Sequence, residues 1–318
     1  MTAIKNRSEI IFLYDVKDNN PNGDPLNEIK PRIDEETNLN YVTDVRLKRT
    51  IRDYIARNFQ NKSPDKIFML AERKDDNTLK SITELSQEFN STSELVKSCI
   101  DIRLFGGTIA VKKDKSKAKE SETKDESNAI TGPVQFRLGR SMHRVMPVET
   151  QITRTVPNEP NKTTGTFGYD QRLYYSLIKF YGVINENAAQ CVDLSEADIQ
   201  KLLQAVWFGT KDLNTRSKIG HTPRFLIKVD YKPGFFIGDL DASLKIKSDM
   251  QDEQIRYPDD YVVDTSKLNQ LLNKYKNKIE NIWIMKHEDI ELTEPITVEG
   301  KTVKDLEKEN WFNIYQMV

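Results

Sequence analysis

The chain has 318 residues, with 48 Lys and Arg against 49 Asp and Glu and a formal net charge of -1. That length makes one large domain or two closely joined ones, and it is enough to bury a sizeable core. Balanced charge excludes bulk attraction as the basis of nucleic-acid binding; cations for such a role have to be gathered on one surface.

Ile10 to Val16 is a near-continuous apolar run, which predicts a strand covered on both faces. It is too short, and too soon interrupted by Asp15, for a signal peptide or a membrane span. DNNPNGDP, residues 18–25, places Asp18, Asn20, Asn22 and Gly23 at positions 1, 3, 5 and 6 of an EF-hand calcium loop. The bidentate Glu of position 12 is replaced by Ile29, and the preceding segment is a strand, so the stretch reads as a turn. Residues 43–59 predict a helix capped by Thr43 or Asp44, with Leu47, Ile51, Tyr54 and Ile55 on its buried stripe. Arg46, Arg49 and Arg57 lie opposite that stripe and Lys48 and Arg52 on its flank, five bases among two acids, which points to a phosphate-facing surface as well as a solvated one.

Residues 62–104 read as mainly helical and weakly packed, and Lys112–Ser127, alternating Lys, Glu, Asp and Ser, as a disordered or mobile loop. In 131–141, Val134, Phe136 and Leu138 face one way and Gln135 and Arg137 the other, as in a half-buried strand. A projecting loop or hairpin follows at 147–170, then an aromatic strand at 172–184 and a helix capped by Ser195, buried through Ile199, Leu202, Leu203 and Val206. Residues 225–231 alternate as a strand; a helix near 265–278 and a strand at 281–287 complete the series. There is no internal repeat. Cys99 and Cys191 belong to no CxxC or Cys/His pair, which argues against zinc or a disulfide framework and suits a reducing cytoplasm. The order is βαββαβ with large insertions, an α+β pattern that hosts many functions, and the aromatic RNP motifs of base-stacking RNA-recognition domains are absent.

Three segments together carry a family resemblance: YDVKDNNPNGDPLNEIKPRIDEETNLNYVTDVRLKRTIRDY, DIRLFGG and TGPVQFRLGRSMHRV. They resemble the backbone subunit of CRISPR Cascade complexes, more narrowly the Csh-type, subtype I-B branch, over most of residues 8–240. The resemblance implies a modified RRM or ferredoxin-like palm at 1–240, helical fingers inserted at about 60–130 and a protruding thumb at about 147–170, with 241–318 as an α+β extension packed on the palm. It implies copies stacked along the spacer of a CRISPR RNA (crRNA), a thumb that kinks the guide, and intervening bases left open to a target DNA strand. The partners so implied are crRNA, target DNA, further copies of the chain, and the large, small and repeat-handle-binding subunits.

A protein that coats any spacer holds phosphate and sugar rather than base edges. Similarity at VTDVRLKR makes Lys48, Arg49 and Arg52 the leading phosphate contacts, with Arg46 beside them. Arg137, Arg140, Ser141, His143 and Arg144 form a second basic group leading into the projecting loop, and Gln135 and Arg154 complete the set. A wedge between stacked bases has to be apolar and has to project, which singles out Val156 and Phe167. A second reading is a metal-dependent endoribonuclease, because related type III backbone subunits cut target RNA with an aspartate in a comparable loop and Asp24 resembles it. The closer similarity is to type I, where a separate helicase-nuclease cuts DNA; it implies no catalysis, no cofactor and no metal. A plain α+β interaction protein is the third reading.

Overall fold

The computed structural model describes residues 2–109, 128–153 and 167–308. Among them, nine strands form one sheet. In chain order, with the main helices, the elements are β1 (Ser8–Asn19), β2 (Leu39–Val42), α1 (Asp44–Asn58), β3 (Val134–Phe136), β4 (Gly139–Arg144), β5 (Pro147–Thr153), β6 (Phe167–Ile184), α2 (Glu196–Lys211), β7 (Thr222–Tyr231), α3 (Ser266–Lys274), β8 (Ile279–Lys286) and β9 (Val303–Asp305). The spatial order is β9-β8-β7-β1-β6-β4-β2, with β3 and β5 also paired to β6.

β1 sits at the centre, antiparallel to both β6 and β7. Its side chains divide by parity, as the pleat requires. Ile10, Phe12, Tyr14 and Val16 enter one core, shared with Ile51 and Ile55 of α1 and Leu202 and Val206 of α2. Ile11 and Leu13 enter a second core on the other face, with Leu268 and Leu272 of α3 and apolar residues from Leu240 to Val298. An uninterrupted apolar run is what a strand buried on both faces needs.

The helices form where their caps and stripes say. The Thr43 side chain accepts from the Arg46 N–H at 3.2 Å at the start of α1. Ser195 and Asp198 make a reciprocal capping box on α2. Gly209 lets the two helices approach: a Cβ there would lie 2.9 Å from the Cβ of Tyr54. A third, smaller core of Phe68, Leu85, Leu95, Cys99, Ile102 and Ile109 lies under the short helices Ile82–Ser86, Thr92–Ser98 and Ile100–Phe105. Buried Arg103 ties this region to α2 through Asp198, at 2.8 Å, and to the carbonyls of Pro64, Val96 and Lys97. Among the described residues no helix is long and apolar enough to cross a membrane.

Two sequence expectations are corrected here. Residues 62–104 hold only those short helices: the chain enters the stretch through a turn with Gln60 and Asn61 at positive φ and turns again within it at Asn77, also at positive φ. The 131–141 strand breaks into β3 and β4, and Leu138 does not face the core with Val134 and Phe136; it is 44% exposed. The phase slips by one between the two strands, so Gly139 takes the inward place. A Cβ on Gly139 would lie 2.4 Å from the Phe180 ring, which is why only glycine fits. The hairpin expected at 147–170 has a paired stem, with β5 running from Pro147↔Leu173 to Thr153↔Phe167. Arg154 and Val156 lie outside the described residues, as does the Phe167 side chain.

Candidate nucleic-acid interface

Where β4 lies beside β6, the sheet face opposite α1 and α2 is left open as a groove of about 770 Å³. Register makes Arg140 and Lys179 neighbours. Arg137, Met142, Tyr181 and Lys245 line the same groove, and exposed Leu138 stands at its rim. The Arg137 guanidinium lies 4.4 Å from the Tyr181 ring centroid and pairs with Asp239 at 2.6 Å. Lys179 Nζ donates to the carbonyls of Asp241 and Leu244 at 2.6 and 3.0 Å. Burial pulls its pKa below the ordinary lysine value.

The far wall is fixed from below by one carboxylate. Buried Glu9 accepts from the hydroxyls of Tyr181 and Tyr231, both at 2.6 Å, and from the backbone N–H groups of Ile237, Gly238 and Leu240 at 3.1, 3.1 and 3.3 Å. The loop carrying Asp239 and Asp241 is therefore held at a set height over the sheet. Cations, an aromatic ring and exposed apolar surface in one groove suit a polyanion whose bases are flat and whose sequence is not read.

The other predicted residues fall into two groups. Arg140, Arg144 and Arg49 are exposed and pair with Asp34 at 3.3 Å, Glu253 at 3.3 Å and Asp53 at 2.8 Å. Surface pairs of this kind are weak and exchange easily for a phosphate. Lys48 is more enclosed; it reaches Asp44 at 3.0 Å and Gln135 at 3.2 Å and lies over the Phe105 ring.

Arg52, Ser141 and His143 are structural. Arg52 donates to Asp101 at 3.0 Å, and the two side chains are 14% and 1% exposed. The Ser141 hydroxyl accepts from Asn40 N–H at 2.9 Å and donates to the His143 carbonyl at 2.7 Å. His143 is buried, stacked on Tyr175, and burial lowers its pKa. Its Nε2 faces the Leu177 N–H at 3.2 Å and so accepts; its Nδ1 then carries the proton and donates to the Arg144 carbonyl at 2.8 Å. Both ring nitrogens are engaged, and the guide hydrogen bond expected of His143 has no atom to make it.

The DNNPNGDP turn is closed on itself. Asn20 Nδ2 donates to the Ile29 carbonyl at 2.7 Å, and Asn22 Oδ1 accepts from both N–H and hydroxyl of Thr43, at 2.9 and 3.0 Å, linking the turn to the α1 cap. Asp24 pairs with Arg32 at 3.2 Å and accepts from Leu26 N–H. Among the described residues no group of His, Cys, Asp and Glu is arranged to hold a metal ion.

Sequence reading missed Lys179, Tyr181 and Lys245. Lys179 did leave a trace: after Arg172 it is the one cation in the apolar stretch RLYYSLIKFYGVI.

A family model described as CRISPR-associated protein Cas7 matches residues 6–266. The CRISPR-associated protein Cas7 of Haloferax volcanii is 30% identical over 311 residues, covering 92% of this chain and 90% of the relative. A solved chain of a CRISPR RNA-guided surveillance complex matches with a TM-score of 0.53 at 12% identity, over 93% of both chains. A chain from such a complex described as pre-nicking matches with a TM-score of 0.53 at 11% identity, over 94% of this chain and 96% of that one.

Proposed function

The chain belongs to the Cas7 family of CRISPR-associated proteins, and from that premise we propose that it is the non-catalytic backbone subunit of a CRISPR RNA-guided surveillance complex of the subtype I-B kind, working in the cytoplasm. Copies stack along the spacer of a crRNA and hold it by its phosphates. The order β7-β1-β6-β4, with α1 and α2 on one face, supports reading 1–240 as an RRM-like palm. The region from 60 to 130 is its finger insertion, and 241–318 is an extension packed on the palm. The β5–β6 hairpin is the stem of the thumb, and its tip, with Val156 and Phe167 as wedge candidates, kinks the guide. The intervening bases remain open to target DNA, and the large, small and repeat-handle-binding subunits complete the assembly.

The observation that carries this reading is the groove where Arg137, Arg140, Lys179 and Lys245 meet Tyr181 and exposed Leu138. Its cations favour any phosphate backbone. The non-catalytic reading is supported by Asp24, whose carboxylate is already paired with Arg32 and a backbone N–H. The test is a combined Arg137→Ala, Arg140→Ala variant, titrated with single-stranded RNAs of unrelated sequence. Affinity falls by a similar factor for every RNA, and the log–log salt slope flattens by roughly 0.7 for each lost phosphate contact. An unchanged slope removes the groove from the reading.

A further inference from the structure

Most cations of the predicted interface already have an acid. Arg46 does not, and neither do Lys218 and the imidazole of His221 close to it: among the described residues none of the three is ion-paired to a carboxylate. Asp53 acts on Arg46 only through space and is itself clamped by Arg49. The three come from different elements and converge at the exit of β1. Arg46 belongs to the first turn of α1, and its guanidinium donates to the Thr50 hydroxyl at 3.2 Å. Lys218 lies in the segment between α2 and β7, and its Nζ donates to the Asn20 carbonyl at 2.6 Å. His221 immediately precedes β7, its ring 5.7 Å from that of Tyr14. Arg46, His221, Tyr14 and Pro21 line one crevice.

One further fact marks the place: His221 is 3% exposed, yet among the described residues its Nε2 has no hydrogen-bond partner. A protein with balanced charge has here left half-buried cations uncompensated, which is costly unless something outside the chain supplies the anion. The electrostatics respond accordingly. Burial and then Arg46 pull Lys218 down to about 8. Burial, Lys218 and Arg46 together push His221 down to about 3, so it is neutral at physiological pH. The location also fits the guide. Asn20 Nδ2 reaches the Gln171 carbonyl at 3.3 Å and Arg172 reaches the Asp18 carbonyl at 2.8 Å, so the cluster sits against the base of the β5–β6 hairpin.

We propose that Lys218 and Arg46 form a fixed seat for one backbone phosphate of the guide strand at the base of this hairpin, with His221 as its neutral floor. The crevice itself measures about 10 Å³, so the phosphate stands over its mouth against the two cations and does not enter it. The seat rests on the guide-binding reading above and adds to it a specific contact, next to the point where the strand is bent. A phosphate in the seat holds Lys218 protonated. Of the groups around it only Lys218 titrates near neutrality: Arg46 is a guanidinium, Tyr14 is pushed well above the ordinary phenol value by burial, and His221 stays neutral. RNA binding is therefore coupled to proton uptake above about pH 8.

The test uses the full chain and an oligoadenylate, whose bases do not titrate near that pH. Lys218→Met weakens binding by roughly tenfold to a hundredfold, the range for losing a charge-assisted hydrogen bond, and flattens the salt slope by roughly 0.7. Lys218→Arg keeps the affinity at neutral pH and abolishes the fall that the wild type shows between about pH 8 and 9.5. A measurement on the wild-type chain needs no variant to fold: acetylation of Lys218, read by mass spectrometry, is fast in the free protein and suppressed by the RNA. Wild-type affinity and slope in Lys218→Met, or Lys218 equally reactive with and without RNA, overturns the seat while leaving guide binding in place. A wild-type chain that binds no RNA overturns both.

Discussion

Arg52→Ala separates a phosphate contact from a structural ion pair. The side chain lies on the basic flank of α1, but its guanidinium donates to Asp101, a carboxylate only 1% exposed. Removing one member of a buried pair costs about 3–5 kcal/mol, because the other charge is left without its counterion. Asp101 would not be wholly abandoned: it also accepts from the N–H groups of Phe68 at 2.8 Å and Met69 at 3.1 Å. Arg52 also lies over the Phe105 ring, 5.3 Å from its centroid, and that contact is lost as well. With the backbone bonds retained, the expected loss is about 3 kcal/mol, the bottom of that range. Urea unfolding gives the stability and RNA titration against salt gives the contact. The structure predicts a large fall in midpoint with an unchanged salt slope for the protein that remains folded. A variant as stable as wild type, with a slope flattened by roughly 0.7, would refute this assignment and restore Arg52 to the phosphate contacts.

Gly139→Ala places a methyl group 2.4 Å from the buried Phe180 ring and should destabilise by about 1–3 kcal/mol through overpacking, measured as a lowered thermal midpoint. His221 is held down to about 3 in the folded chain against an ordinary value of 6.5. Its depressed pKa contributes stability that is present above pH 6.5 and is lost as pH falls towards 3, because the unfolded chain takes up the proton first. Without RNA, His221→Asn should therefore show a shallower loss of stability between about pH 6 and 4, by about 1.4 kcal/mol per pH unit, in urea titrations at each pH. An equal slope in both chains would mean that another group carries the acid sensitivity.

What could be read from the sequence was what is local. The apolar run of β1 and the Thr43 cap with its helical stripe each lie within one short segment, and so do the motifs that give the family. The phase slip that turns Leu138 outward and Gly139 inward is a backbone event forced by Phe180, some forty residues away in the chain, and no alternation pattern contains it. The site was less legible still, because a cation's role depends on which acid it meets. Arg52 and Asp101 are 49 residues apart and Arg103 and Asp198 are 95 apart. Counting bases along α1 therefore grouped Arg52, which is locked to an acid, with Arg49, which is free to exchange its partner. Lys179 and Lys218 stood out from no basic cluster in the sequence, and only the sheet register and the convergence at the end of β1 give them neighbours.

The most direct test of the central claim is the mass of the assembly formed on RNA. Native mass spectrometry of the purified chain, mixed with single-stranded RNAs of increasing length and unrelated sequence, should show copies added in regular steps as the RNA lengthens. The step should be the same for every sequence and the RNA should remain intact. One copy per RNA at every length, or RNA cut in the presence of Mg²⁺, would contradict a backbone subunit that coats its guide without catalysis.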